Sequence, residues 1–205
     1  MSIVVKICGI TSLADGVAAV EAGADALGFM FYDRSPRRIS LPEAAAVIRE
    51  LPPFIVKVGV FVDAEADTVV RAIGECGLNL LQFHGNESPD YCRQFGLMSM
   101  KAFRIRDAGS LRSLPDFQTD AWLLDACSPD QLGGTGETFN WDLAIEAKKL
   151  GRPIFLAGGL TPSNVGMAVA RVRPYAVDVS SGVESAPGKK NPAKVRAFVQ
   201  AAKSA

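Results

Sequence analysis

Short apolar runs alternate with helix-like patterns from one end of the chain to the other. The runs occupy residues 3–8, 26–31, 55–62, 78–83, 100–105, 121–125, 153–157 and 176–180. They are rich in β-branched residues, and most are continuously apolar. Such runs predict strands buried on both faces of a parallel sheet. Between them the spacing becomes helical. Ser40 and Glu43 make a capping-box signature ahead of Ala44, Val47, Ile48 and Leu51, and Pro52-Pro53 stops that helix. Asp63 is placed to cap a helix carrying Ala66, Val69, Val70 and Ile73, with Gly77 beyond it. Ser88-Pro89 opens a short helix that Gly96 ends. Asn140, Thr161-Pro162 and Asn191-Pro192 open three more. The first helix is predicted over about residues 12–23, with Leu13, Val17 and Val20 on one face. The segment near 108–114 carries little helical signal, so the fifth helix is predicted to be short or irregular.

Eight strand–helix units in 205 residues predict an α/β fold, a small (β/α)8 barrel forming a single domain over residues 1–205. The alternative is an open doubly wound sheet, but no G-x-G-x-x-G follows the first strand. Apolar residues make up 48% of the chain, enough for a sizeable core. Lys+Arg and Asp+Glu balance at 22 each, so no single-sign field favours nucleic acid or an anionic membrane. No apolar stretch approaches the ~18–20 residues of a membrane span. The first residues lack the long apolar core of a signal peptide. Cys8, Cys76, Cys92 and Cys127 are scattered and form no C-x-x-C pair, which argues against a disulfide framework and against a zinc site. A cytoplasmic protein with reduced thiols is expected, and both a monomer and a homodimer are open.

Polar residues interrupt the apolar pattern at four strand ends. Cys8 ends the first strand, Gln82 and His84 the fourth, Asp125 the sixth, and Asp178, Ser180 and Ser181 the eighth. In a parallel barrel that rim is where chemistry is placed. Lys6 shares a face with Cys8, and Asp178 with Ser180. Each residue alone has a plainer reading: a core cysteine, a loop-capping carboxylate, a structural histidine, a lysine in an ion pair. On one rim they add up to a site. Three glycine-rich stretches lie on late loops: Gly133-Gly134-Thr135-Gly136, Ala157-Gly158-Gly159-Leu160 and Ser180-Ser181-Gly182-Val183. Loops after strands seven and eight commonly bind phosphate through backbone N–H groups. Gly134, Gly136, Gly158, Gly159, Ser180, Ser181 and Gly182 are therefore candidate phosphate ligands. Arg34, Arg37 and Arg38 flank Pro36 and suit a carboxylate clamp, the alternative being a solvated charged loop.

The motifs Lys6-Ile7-Cys8-Gly9-Ile10-Thr11, Ser35-Pro36-Arg37-x-Ile39, Gln82-x-His84-Gly85, Leu124-Asp125, Gly133-Gly134-Thr135-Gly136, Ala157-Gly158-Gly159-Leu160 and Asp178-Val179-Ser180-Ser181-Gly182-Val183-Glu184 together resemble the phosphoribosylanthranilate isomerases. The resemblance runs in order over essentially the whole chain. It implies a step of tryptophan biosynthesis, the Amadori rearrangement of N-(5′-phosphoribosyl)anthranilate to 1-(2-carboxyphenylamino)-1-deoxyribulose 5-phosphate, with no cofactor and no metal. It further implies Asp125 as general acid, Cys8 as general base, Arg37 on the anthranilate carboxylate, His84 and Asp178 at the substrate, and the glycine loops on the phosphate. Arg38 and Cys127 are left unassigned. Burial and a nearby thiolate are expected to keep Asp125 protonated. Lys6 is expected nearer Cys8 than Asp125, where it favours the thiolate; a direct Lys6–Asp125 pair would defeat this. Two rivals are weighed. A histidine-pathway aminoaldose isomerase would resemble a chain with Asp at the end of the first strand. A catalytically silent phosphometabolite-binding barrel would need neither Cys8 nor Asp125.

Overall fold

The computed structural model describes residues 2–125 and 141–205. Its strands β1 (Val4–Cys8), β2 (Ala26–Met30), β3 (Val56–Phe61), β4 (Leu80–Phe83), β5 (Met98–Arg104), β6 (Ala121–Asp125), β7 (Ile154–Ala157) and β8 (Ala176–Val179) close into a parallel barrel in chain order. Around them lie α1 (Leu13–Glu21), α2 (Leu41–Glu50), α3 (Ala66–Cys76), α4 (Pro89–Arg93), α5 (Trp141–Lys148), α6 (Val165–Val172) and α7 (Pro192–Lys203). Two 3-10 turns, Ala108–Leu111 and Leu114–Asp116, stand in place of the helix after β5, as the weak signal there predicts. Gly109 and Pro115 fall within them and oppose a continuous helix.

Alternate strand residues separate two apolar clusters. Val58, Val60, Met100, Leu123 and Phe155 fill the barrel. Ile7, Phe29, Phe61, Leu81 and Trp122 pack outward under the helices. Both faces are buried, which is why the strands read as continuous apolar runs. The barrel closes along β1 and β8, where Lys6 stands opposite Asp178 in register.

Several local expectations hold and three need correction. Ser40 and Glu43 form the full capping box, Ser88 caps α4 and Asn191 caps α7. Asp63 does not cap α3. It has φ 49° and its carboxylate accepts from the Asn86 backbone N–H at 2.5 Å, while Glu65 takes the cap position without a side-chain bond. Asn164, not Thr161, occupies the cap position of α6, and its Oδ1 accepts from the Thr161 N–H. The cap expected at Asn140 lies outside the described residues. On α1, Leu13 and Val17 face outward, and the helix buries Asp15, Gly16 and Ala19 instead. The reason lies in an unforeseen hairpin, β9 (Glu184–Ala186) with β10 (Lys189–Lys190), whose Lys190 N–H donates to Asp15.

A buried ion pair fixes the turn after β4. Lys101 Nζ lies 3.2 Å from Glu87 and donates to the carbonyls of Gly85 and Ala102. Glu87 accepts from the backbone N–H groups of Asp63 and Gly85. Removing one partner of such a pair leaves an uncompensated buried charge. Lys101→Met is therefore expected to cost about 3–5 kcal/mol, read as a lower urea midpoint at unchanged slope. An unchanged midpoint would show that the pair contributes nothing.

Candidate active site

Cys8 is the last residue of β1 and is 6% exposed. Its register partner on β2 is Gly28. A Cβ at position 28 would sit 2.8 Å from the Cys8 sulfur and 3.1 Å from Lys6 Nζ. Only glycine leaves room there for both groups. Lys6 is fully buried inside the barrel and donates to Asp178 Oδ1 at 2.8 Å. Burial disfavours its charge, but Asp178 and Cys8 outweigh this and raise its pKa, so it stays cationic. The Cys8 thiol is pushed up, chiefly by burial; Lys6 opposes that shift and Asp178 adds to it. Lys6 thus acts toward the thiolate as expected, but burial wins and the resting group is a thiol.

Asp125 ends β6, with its side chain 30% exposed. Its partner is His84, not Lys6: His84 Nε2 lies 3.2 Å from Asp125 Oδ2. On the other side of the ring, Gln82 Nε2 lies 2.9 Å from His84 Nδ1. The β4 turn that carries His84 is the one held by Lys101 and Glu87.

Arg37 comes from the loop after β2. Its Nε and Nη2 donate to the two carboxylate oxygens of Glu184 at 2.8 and 2.7 Å. Lys190 Nζ donates to the same carboxylate at 2.8 Å. Burial works against the Glu184 charge, but Arg37 and Lys190 outweigh it and hold the carboxyl below its usual range. Burial likewise lowers the Lys190 pKa, and Glu184 offsets only part of the shift. Arg38 instead pairs with Asp33 on the exposed side of the loop. Arg37 is therefore the arginine that faces inward.

Cys8, Arg37, Gln82, His84, Asp125 and Asp178 border one cavity of about 330 Å³ at the carboxyl ends of the strands. Its walls include every candidate that the structure describes: Cys8, Arg37, His84, Asp125 and Asp178, with Gly158 and Gly159 after β7 and Ser180, Ser181 and Gly182 after β8. Gly158 and Gly159 both have positive φ, 83° and 65°, a backbone path that turns successive N–H groups to one side. Gly134, Gly136 and Cys127 lie outside the described residues. No motif in the sequence marks Gly28, Glu184 as an ion-pair partner, or Lys190. Pro187-Gly188 was the available turn signal for the hairpin that brings the last two into place. Among the described residues, no group of three or more His, Cys, Asp or Glu is placed to hold a metal ion, and no helix is long and apolar enough to cross a membrane.

Fold and site define a (β/α)8-barrel enzyme whose candidate site lies at the carboxyl rim of its strands. The model of one family, N-(5′-phosphoribosyl)anthranilate (PRA) isomerase, matches residues 5–201. An N-(5′-phosphoribosyl)anthranilate isomerase from Geobacter sp. (strain M21) is 60% identical over 199 residues, covering 97% of each chain. A crystal structure of phosphoribosyl anthranilate isomerase from Thermotoga maritima superposes with a TM-score of 0.92 at 40% identity, covering 99% of this chain and 100% of that one. Another crystal structure, of a phosphoribosyl anthranilate isomerase in complex with reduced 1-(o-carboxyphenylamino)-1-deoxyribulose 5-phosphate, matches at 39% identity and a TM-score of 0.89, with coverage of 99% and 100%. The chain belongs to the N-(5′-phosphoribosyl)anthranilate isomerase family.

Since the thiolate is the reactive form, Cys8 should alkylate with iodoacetamide more slowly at pH 7 than an ordinary cysteine. Its rate should keep rising with pH beyond the ordinary value of ~8.5. Lys6→Met should slow it further at any one pH. Peptide mapping separates Cys8 from the other three cysteines. A Cys8 rate that levels off below the ordinary range would contradict the dominance of burial.

Proposed function

We propose that this chain catalyses the Amadori rearrangement of N-(5′-phosphoribosyl)anthranilate in tryptophan biosynthesis, with Asp125 as general acid and Cys8 as general base. One observation carries the reading. Cys8 and Asp125 end strands that stand three places apart in the ring, and both open onto the same cavity. An acid and a base are thereby offered to one bound sugar from different directions.

Asp125 gives a proton to the ribose ring oxygen, the C1′–oxygen bond breaks, and the anthranilate nitrogen becomes an iminium. That cation acidifies the hydrogen at C2′. It also favours loss of the Cys8 proton, adding to the pull of Lys6. A thiol whose pKa is raised yields a strongly basic thiolate, which suits abstraction from carbon. Cys8 takes the C2′ hydrogen and the electrons form the C1′–C2′ enolamine. The enolamine then loses the proton on its C2′ oxygen and gains one at C1′ to give the ketose. Cys8 sheds its thiol proton to solvent before the abstraction and regains one from C2′, which restores the resting thiol, and solvent returns to Asp125 the proton it gave.

The remaining residues bind. Glu184 occupies one edge of the Arg37 guanidinium and sets its plane, and the free Nη1 edge takes the anthranilate carboxylate. The turns at Gly158-Gly159 and Ser180-Ser181-Gly182 take the phosphate, away from the reacting carbons. The charged groups on this side of the cavity support an anionic substrate. Of the three cations there, Lys6, Arg37 and Lys190, it is Arg37 that lines the cavity.

Cys8→Ser and Asp125→Asn should each lower kcat by about 10²-fold or more, the usual share of one acid or base. Arg37→Ala should mainly raise KM. Purified protein and phosphoribosylanthranilate are sufficient for the assay. Near-normal kcat in either of the first two variants removes that residue from the mechanism, and an unchanged KM in the third moves the carboxylate site elsewhere.

A further inference from the structure

The side chains of Gln82, His84 and Asp125 form a chain of contacts whose polarity can be followed from end to end. One hydrogen lies between His84 Nε2 and Asp125 Oδ2, 3.2 Å apart, and either the imidazole or a protonated carboxyl can carry it. Placed on Nε2, it leaves a neutral imidazole with a bare Nδ1, which needs a donor. The amide N–H of Gln82, 2.9 Å away, is that donor. The reverse sequence would turn the Gln82 oxygen toward His84 and bury its NH2 group, with two N–H donors, where the structure offers the other end of this amide no partner. As it stands, the atom left over is Gln82 Oε1, a single buried acceptor without a hydrogen bond among the described residues. Gln82 is 1% exposed and lines the cavity. An orphaned buried acceptor of this kind is rare and costs stability. Gln82 is held at that cost for what its amide nitrogen does.

We infer that Gln82 is a positioning residue that locks His84 in the neutral Nε2–H tautomer, and that His84 thereby keeps Asp125 Oδ2 as an acceptor. The inference rests on the reading of Asp125 as the general acid. With Oδ2 engaged by an N–H donor, the proton that Asp125 delivers resides on Oδ1. When that proton leaves, the carboxylate formed already has its His84 bond in place, so no reorganisation is needed as charge develops. The backbone on both sides of His84 is fixed by other contacts. The His84 N–H donates to the Phe61 carbonyl at 2.8 Å, and Lys101 and Glu87 bind the Gly85 carbonyl and N–H. The backbone that carries the ring is thus fixed, and Gln82 sets the tautomer of the ring it holds.

The chain's single histidine makes the test direct, because 15N-histidine labelling reports on His84 alone. At pH 8, two-bond 1H–15N correlation should show the Nε2–H tautomer in the wild-type chain. Gln82→Met removes the donor and should give a mixture of tautomers. Gln82→Glu replaces it with an acceptor, so Nδ1 should become protonated. Because the acid's whole share is about 10²–10⁴-fold, a misdirected tautomer in Gln82→Glu should lower kcat by about tenfold or more while KM changes less than the kcat. The spectra also report whether each variant is folded. An Nδ1–H tautomer in the wild type overturns the inference, as does a fully retained Nε2–H form in Gln82→Met. Full turnover in Asp125→Asn with these spectra as expected would instead defeat the acid assignment and leave the tautomer lock standing.

Discussion

The Lys6–Asp178 ion pair is the interaction on which the rest of the site depends. It joins residues 172 positions apart in sequence, facing each other in register on the two strands that close the barrel. Both side chains are buried, so each charge has given up its water. Apolar residues of similar volume could serve stability as well or better. The pair does something an apolar plug could not. It places a permanent cation beside the Cys8 sulfur in a setting where burial alone would make the thiol inert. Gly28 completes the arrangement by withholding the atom that would otherwise occupy the space.

A second charged cluster is stacked on the first. Glu184 grips Arg37 and is itself held by Lys190, both from the β9–β10 hairpin that follows β8. The hairpin also covers Asp15 on α1, which couples the outer helix to the cavity wall. Arg37 and Cys8 are therefore held by neighbouring parts of the chain: β1, the loop after β2, and the segment after β8. Asp125 and its histidine stand apart, supported by β4, β5 and the clamp of Lys101 and Glu87.

Much of this was legible in the chain. Strands buried on both faces leave unbroken apolar runs, and a polar residue ending such a run marks the rim, so Cys8, His84, Asp125 and Asp178 stood out. What was hidden arises only on closure. Asp178 reads as a residue at the substrate, and its buried bond with Lys6 forms only when the seam closes. Asp63 has the composition of a helix cap, but the β4 turn offers its carboxylate another N–H. The exposed face of α1 misled because helical periodicity reports an apolar stripe without saying which side the barrel lies on. The hairpin strands are of three and two residues, too short to show a period.

The central claim is a division of labour: Asp125 opens the ring, and Cys8 then removes the C2′ hydrogen. Single-turnover kinetics with phosphoribosylanthranilate deuterated at C2′ tests it most directly. The account predicts that Cys8→Ser slows the isotope-sensitive step and enlarges the deuterium effect. Asp125→Asn should slow the step before it and suppress the effect. A C2′–H cleavage rate that Cys8→Ser leaves unchanged would contradict the account.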